Sequence, residues 1–194
     1  MYRKWTLSLL CLFILSPAYA GVLRGTVNIS GENDNRNVIV YLETTLDKKF
    51  PPPAKHAAMD QQNMRFIPHV LPIQVGTTVD FFNSDNYLHN IFSPDYTGGK
   101  FSLGTWAKGI TKSFTFNTPG SATLLCNVHP EMEAYIVVLP TPYFALSDST
   151  GKFRIEDVPS GVYLLKTWHE RGYFTVKKIA IKKNRPTVVN IRLK

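Results

Sequence analysis

Short apolar runs, alternating with polar residues and closed by glycine or proline, limit what this chain can fold into more than any other feature. Val79 and Phe81 alternate with polar neighbours, as do Phe114 and Phe116; Thr187, Val189, Ile191 and Leu193 repeat the pattern near the end. A period of two over so few residues marks a half-buried strand. Residues 134–139 form a run of β-formers closed by Pro140. Turn signals fall between the runs at Gly31, Val75-Gly76, Pro119-Gly120, Ser149-Thr150-Gly151 and Pro159-Ser160-Gly161. No long amphipathic helix is legible, so the expected class is all-β, arranged as sandwiches or small barrels.

The start of the chain follows different rules. Met1-Tyr2-Arg3-Lys4 precedes an uncharged, mostly apolar stretch over residues 5–15, and then Ser16-Pro17-Ala18-Tyr19-Ala20. A basic start, an apolar middle and a small-x-small end are the three parts of a secretory signal peptide. The apolar stretch is short for a membrane-spanning helix, which needs about 20 residues; an uncleaved anchor is the alternative. Residues 1–20 are therefore set aside as a signal, and the expected location is the periplasm, with no membrane span after cleavage. The chain holds 22 Lys and Arg against 14 Asp and Glu. Removing Arg3 and Lys4 leaves 20 − 14 = +6. Such an excess can steer an acidic partner, but the basic residues are spread along the strands and read first as a solvated face. Nothing in an exported chain without a basic, aromatic-studded motif suggests nucleic acid.

Two breaks divide what remains. Pro51-Pro52-Pro53 cannot donate to a sheet and favours an extended spacer, so residues 46–59 read as a linker. Leu139-Pro140-Thr141-Pro142 is the second break. The pieces are a short segment over 21–45, a central block over 60–139 and a final block over 140–194.

Cysteine usage points to the chemistry. Signal cleavage removes Cys11 and leaves Cys126 alone in an oxidising compartment, where paired cysteines are the norm. Metal ligation, an intermolecular disulfide and a buried thiol are the readings open to it. Its neighbours favour the first: Cys126, His129 and Met132 stand at Cys-x2-His-x2-Met, on a loop between two apolar strands. A second imidazole is available at His89, just after the strand ending in Phe81-Phe82-Asn83. Two His and one Cys with a weak axial Met form a donor set that suits copper. Zinc usually takes four strong ligands, and Met is a poor one for it. Glu131 and Glu133 flank Met132 and could replace it, giving a harder site. His56, Met59, Met64 and His69 could form a second, transient copper site, although their irregular spacing speaks for packing and surface roles.

Residues 60–139 resemble the cupredoxins, the plastocyanin, amicyanin and pseudoazurin group. The resemblance runs through Phe66-x-Pro68, the stretch from Val75 to Asn83, His89-Asn90, Phe114-x-Phe116-x-x-Pro119-Gly120 and the Cys126 loop. The short loop with Pro130 directly after His129 looks most like amicyanin. The resemblance implies one type 1 (blue) copper per chain, held by His89, Cys126, His129 and Met132. It implies that Asn90 ties the two ligand loops together. It also makes His129 the solvent-near edge through which an electron passes. Asn127 stands where the family often has Ser or Thr.

Residues 143–194 are similar to the carboxypeptidase regulatory-like domain, a small transthyretin-like sandwich. They carry Ser149-Thr150-Gly151-Lys152-Phe153, Pro159-Ser160-Gly161-Val162-Tyr163 and a closing strand over 188–193. That family opens with a strand pair the final block lacks, and Gly25-Thr26-Val27 with Val38-Ile39-Val40-Tyr41-Leu42 supplies it. The expected fold is therefore a cupredoxin Greek-key β-sandwich plus a small transthyretin-like β-sandwich. The cupredoxin is then expected to be inserted into the second sandwich, so that residues 21–45 pair with 140–194; the alternative is that residues 21–45 add a strand to the cupredoxin sheet. Trp168-His169-Glu170 is the most polar-aromatic feature of that half, read as a strand-end Trp on its own core.

The two domains in this order also resemble methylamine-utilisation proteins, which implies a quinoprotein or a cytochrome as redox partner. The function expected is a periplasmic single-electron carrier and not an enzyme. The alternatives are a copper storage or delivery protein, and an interaction module in which copper is structural.

Overall fold

The computed structural model describes residues 20–46, 48–94, 97 and 99–194. The signal-peptide reading falls outside these residues, except for Ala20. Sixteen strands and no helix are found among the described residues, and no helix there is long and apolar enough to cross a membrane. The fold is all-β.

The strands sort into two sandwiches. The first is continuous in sequence. One of its sheets contains β3 (Ala57–Gln61), β4 (Phe66–Ile67), β6 (Thr77–Phe81) and β9 (Lys112–Phe116), in the order β4-β3-β6-β9. The other contains β5 (Val70–Gln74), β7 (His89–Ser93), β8 (Phe101–Trp106), β10 (Gly120–Leu125) and β11 (Glu133–Leu139), in the order β5-β11-β10-β7-β8. Alternation puts Val79, Phe81 and Phe116 inward from one sheet and Ile91, Leu124, Ala134 and Ile136 inward from the other. Burial of these side chains drives the two sheets together.

The second sandwich is assembled from both ends of the chain. β1 (Ala20–Ile29) lies between β13 (Lys152–Pro159), antiparallel to it, and β16 (Thr187–Leu193), parallel to it. β2 (Ile39–Thr44) lies between β12 (Phe144–Leu146) and β14 (Gly161–Trp168), and β15 (Val176–Ile181) closes that sheet as its edge. Residues 20–44 thus share both sheets with the C-terminal block. At Gly25 the middle strand is squeezed: a Cβ there would come within 1.7 Å of the Val189 carbonyl oxygen, so the close approach requires glycine.

One boundary differs from the sequence expectation. The stretch over 46–59 ends early as a linker, because Ala57, Ala58 and Met59 already pair with Val79, Asp80 and Phe81. Met59 is fully buried in the first core. Alanines carry little strand preference, and three prolines just upstream disguise the start of β3.

A third apolar cluster joins the sandwiches. Ile39 packs with Val70, Val137 and Leu139, with Tyr41, Tyr135 and Trp168 around them. Trp168 therefore turns to the first sandwich, its ring 5.6 Å from that of Tyr135, rather than to its own core. Beside this cluster His69 Nε2 meets Glu170 Oε2 at 2.5 Å.

Candidate metal centre

The site lies where two loops cross at one end of the first sandwich. The first loop runs from β6 to β7 and is built on Asn83. This buried amide donates to the Tyr87 and Trp106 carbonyls at 2.9 and 3.0 Å and accepts the Asp85 N–H at 3.0 Å. The loop delivers His89 as the first residue of β7, opposite Trp106. The second loop runs from β10 to β11, strands paired from Gly120–Val138 to Leu125–Glu133. Seven residues, 126–132, thus span a hairpin whose stems are fixed. The Met132 N–H donates to the His129 carbonyl at 3.0 Å, closing the turn that carries His129 outward and Met132 back into the core.

Three donors converge there. His129 Nδ1 is 3.0 Å from His89 Nδ1, and Cys126 Sγ is 4.0 Å from His89 Nδ1. All three lie within 4.8 Å of one another. Metal–nitrogen bonds of about 2.0–2.1 Å and metal–sulfur bonds of about 2.3 Å reach across about 4.1 Å between two nitrogens and about 4.4 Å between nitrogen and sulfur. Both observed separations are below these limits. Met132 is buried in the same core as Cys126. A thiolate, two imidazoles and a thioether form a soft-to-borderline set that fits copper.

Hydrogen bonds fix the donors' orientation. Asp85 Oδ2 is 2.9 Å from His89 Nε2. A carboxylate accepts, so Nε2 carries the proton and Nδ1 presents its lone pair to Sγ and His129. The same carboxylate accepts the Asn63 and Met64 N–H groups at 2.7 and 2.9 Å. Burial pushes the Asp85 carboxyl up, but the bonds from Met64, His89 and Asn63 outweigh it and hold the group below the usual carboxylate range. Asn90 Oδ1 accepts the Asn127 N–H at 2.7 Å and lies 3.4 Å from Cys126 Sγ. The two ligand loops are therefore tied through the backbone of Asn127, and the link does not depend on a hydroxyl side chain at that position.

The other sequence candidates are engaged differently. His56 pairs with Asp80 at 3.0 Å on the surface, His69 with Glu170, and Met59 belongs to the core. Met64 is exposed at the turn that Asp85 caps. Glu131 and Glu133 point to solvent, and Glu133 accepts a hydrogen bond from the Tyr135 hydroxyl. Two residues escaped the sequence reading. Asp85 stands four before His89, a spacing with no meaning until the loop closes. Tyr87, exposed, sets its ring edge-on to His129 at 6.1 Å.

Residues 54–139 match the copper binding proteins of the plastocyanin/azurin family. That segment is a cupredoxin domain. The match covers less than half of the chain and says nothing of the second sandwich. No curated protein matches the chain. Among solved structures, a copper-containing nitrite reductase from Thermus scotoductus is similar at 28% identity and a TM-score of 0.43. That alignment covers 50% of this chain and 25% of the reductase, so this protein spans a quarter of its length. The Cu(I) form of an amicyanin methionine-to-alanine variant aligns at 22% identity and a TM-score of 0.42, over 52% of this chain and 98% of that one. A purple cupredoxin from Nitrosopumilus maritimus aligns at 26% identity and a TM-score of 0.39, over 43% and 99%.

Proposed function

We propose that this protein is a periplasmic carrier of single electrons, with one type 1 copper held by His89, Cys126, His129 and Met132. The observation that carries the reading is the convergence of two Nδ1 atoms and Sγ at 3.0 and 4.0 Å, with only the His129 side of the site reaching the surface. Copper bound there supplies a one-electron couple between Cu(I) and Cu(II).

The chain's own residues do the rest. His89 and Cys126 are buried, which shields that side of the site. A shielded ligand set favours electron transfer over turnover of a substrate or hand-over of copper, which needs an open one. Asp85 and Asn90 lock an imidazole and the Cys126 loop, and a locked site changes little when an electron moves. His129 is half-buried, with Tyr87, Leu88 and Val128 exposed in the two loops that hold it. Exposed apolar side chains grouped around one ligand mark a surface on which a partner can dock. The family resemblance and the redox couple together favour a cytochrome or a quinoprotein as that partner.

Voltammetry of the copper-loaded protein tests the proposal. A reversible one-electron wave, with copper retained through repeated cycles, is the expected result. Copper lost to a Cu(I) chelator on the first reduction would mean storage or delivery instead.

A further inference from the structure

Charge is distributed unevenly along this chain. Residues 171–194 contain eight Lys and Arg and no Asp or Glu. The remainder holds 22 − 8 = 14 basic and 14 acidic residues, so the entire net charge of +8 resides in the last 24 positions. The fold concentrates it further. Apart from Arg171, which pairs with Glu32, these residues lie on β15, on β16, on the turn between them and, for Lys194, just past β16. Lys177, Lys178, Lys182, Lys183 and Arg185 are all exposed, and so are Arg192 and Lys194. Several carboxylates of the second sandwich are engaged elsewhere: Asp34 with Arg36, Glu43 with Lys166, Glu156 with Arg154 and Glu170 with His69.

Among the described residues β15 and β16 are each the last strand of their sheet, so no further strand covers this border there. Lysines on an open edge ordinarily prevent strand-to-strand aggregation. That role does not explain the apolar residues between them. Phe174 is 77% exposed, Val176 56% and Val188 59%. A purely protective edge would not keep an aromatic ring in water beside it. Gly21 also packs here, since a Cβ on it would come within 2.6 Å of Ile181 Cγ2 and 2.7 Å of the Lys182 carbonyl. β1 therefore starts against this border.

We propose that the β15–β16 border docks the protein on an anionic phospholipid surface, its lysines and arginines meeting phosphate headgroups and Phe174 entering the interface. Charge complementarity selects the bilayer: a field of one sign with protruding apolar side chains fits headgroups over acyl chains. It does not need the pairwise match that an acidic protein would have to supply. Docking on this border confines a carrier to two dimensions near a membrane-bound redox partner.

The test is co-sedimentation of the exported protein, its N-terminus fixed by mass, with two kinds of vesicle. One is an equimolar mixture of phosphatidylglycerol and phosphatidylcholine; the other is phosphatidylcholine alone. Binding to the first, weakened by salt, and none to the second is expected. The triple variant Lys177→Glu, Lys178→Glu, Lys182→Glu keeps the edge charged against aggregation. Loss of three positive charges alone lowers binding about 100-fold. Phe174→Ser lowers it about tenfold with the charge intact. Unchanged circular dichroism establishes that the variants fold. Equal binding to both vesicles, or a triple variant that binds like the parent, overturns the proposal. No vesicle binding, with the triple variant slowing electron exchange with an acidic redox protein, also overturns it and assigns the border to a protein.

Discussion

Replacing Asp85 with alanine tests whether the site is held from behind. The carboxylate accepts three hydrogen bonds, from Asn63 N–H at 2.7 Å, Met64 N–H at 2.9 Å and His89 Nε2 at 2.9 Å. Asn63 and Met64 are exposed, so water replaces the lost acceptor for their N–H groups at small cost. His89 is 0% exposed. Its Nε2–H is left without a partner, and a buried unsatisfied donor costs about 1–3 kcal/mol. The metal-free protein should therefore lose about 1–3 kcal/mol in urea unfolding. Loss of the orienting acceptor also frees the imidazole to rotate and change tautomer, which typically lowers metal affinity about 10–100-fold. Competition for Cu(II) against a chelator of known affinity measures this. Asp85→Asn, which keeps an acceptor for Nε2 without the charge, should fall between the parent and the alanine variant. An alanine variant binding copper within about threefold of the parent would refute the assignment of Asp85 as the group that orients His89.

Three further outcomes follow from the same structure. Met132→Leu conserves volume in the core and should cost less than about 1.5 kcal/mol of stability. Its removal of the thioether should raise the reduction potential, as voltammetry would read. Burial, with the Glu43 carboxylate second, pushes the Tyr41 phenol up to about 12; in an ultraviolet titration Trp168→Ala should bring that step back toward the ordinary value of about 10 by opening the cluster between the sandwiches. Burial also holds the His169 imidazole below its ordinary value, with Glu170 opposing and Arg171 reinforcing the shift. The unfolded chain therefore binds the proton more readily, so the stability from this group is complete above about pH 6.5 and is lost as pH falls toward the depressed value. The thermal midpoint should drop on acidification, and His169→Gln should flatten that dependence.

The sequence made much of this legible because strands of period two and a dense ligand loop both leave local marks. Val79, Phe81 and Phe116 declare their inward faces, and Cys126, His129 and Met132 sit within seven residues. What was hidden depends on closure of the chain. Asp85 becomes meaningful only once Asn83 folds its loop, and Trp168 looks like a core residue until Tyr135 arrives from another sheet. The start of β3 was obscured because Ala57 and Ala58 acquire their strand character from Val79 and Asp80. The basic border escaped notice for a similar reason: lysine pairs that look scattered along the chain are gathered onto one edge by the β15–β16 turn.

The central claim is a copper–thiolate bond at Cys126, and visible absorption tests it most directly. Cu(II) added to the mature protein should give an intense red-region band that disappears in Cys126→Ser. A colourless protein, or a spectrum the substitution leaves unchanged, would contradict it.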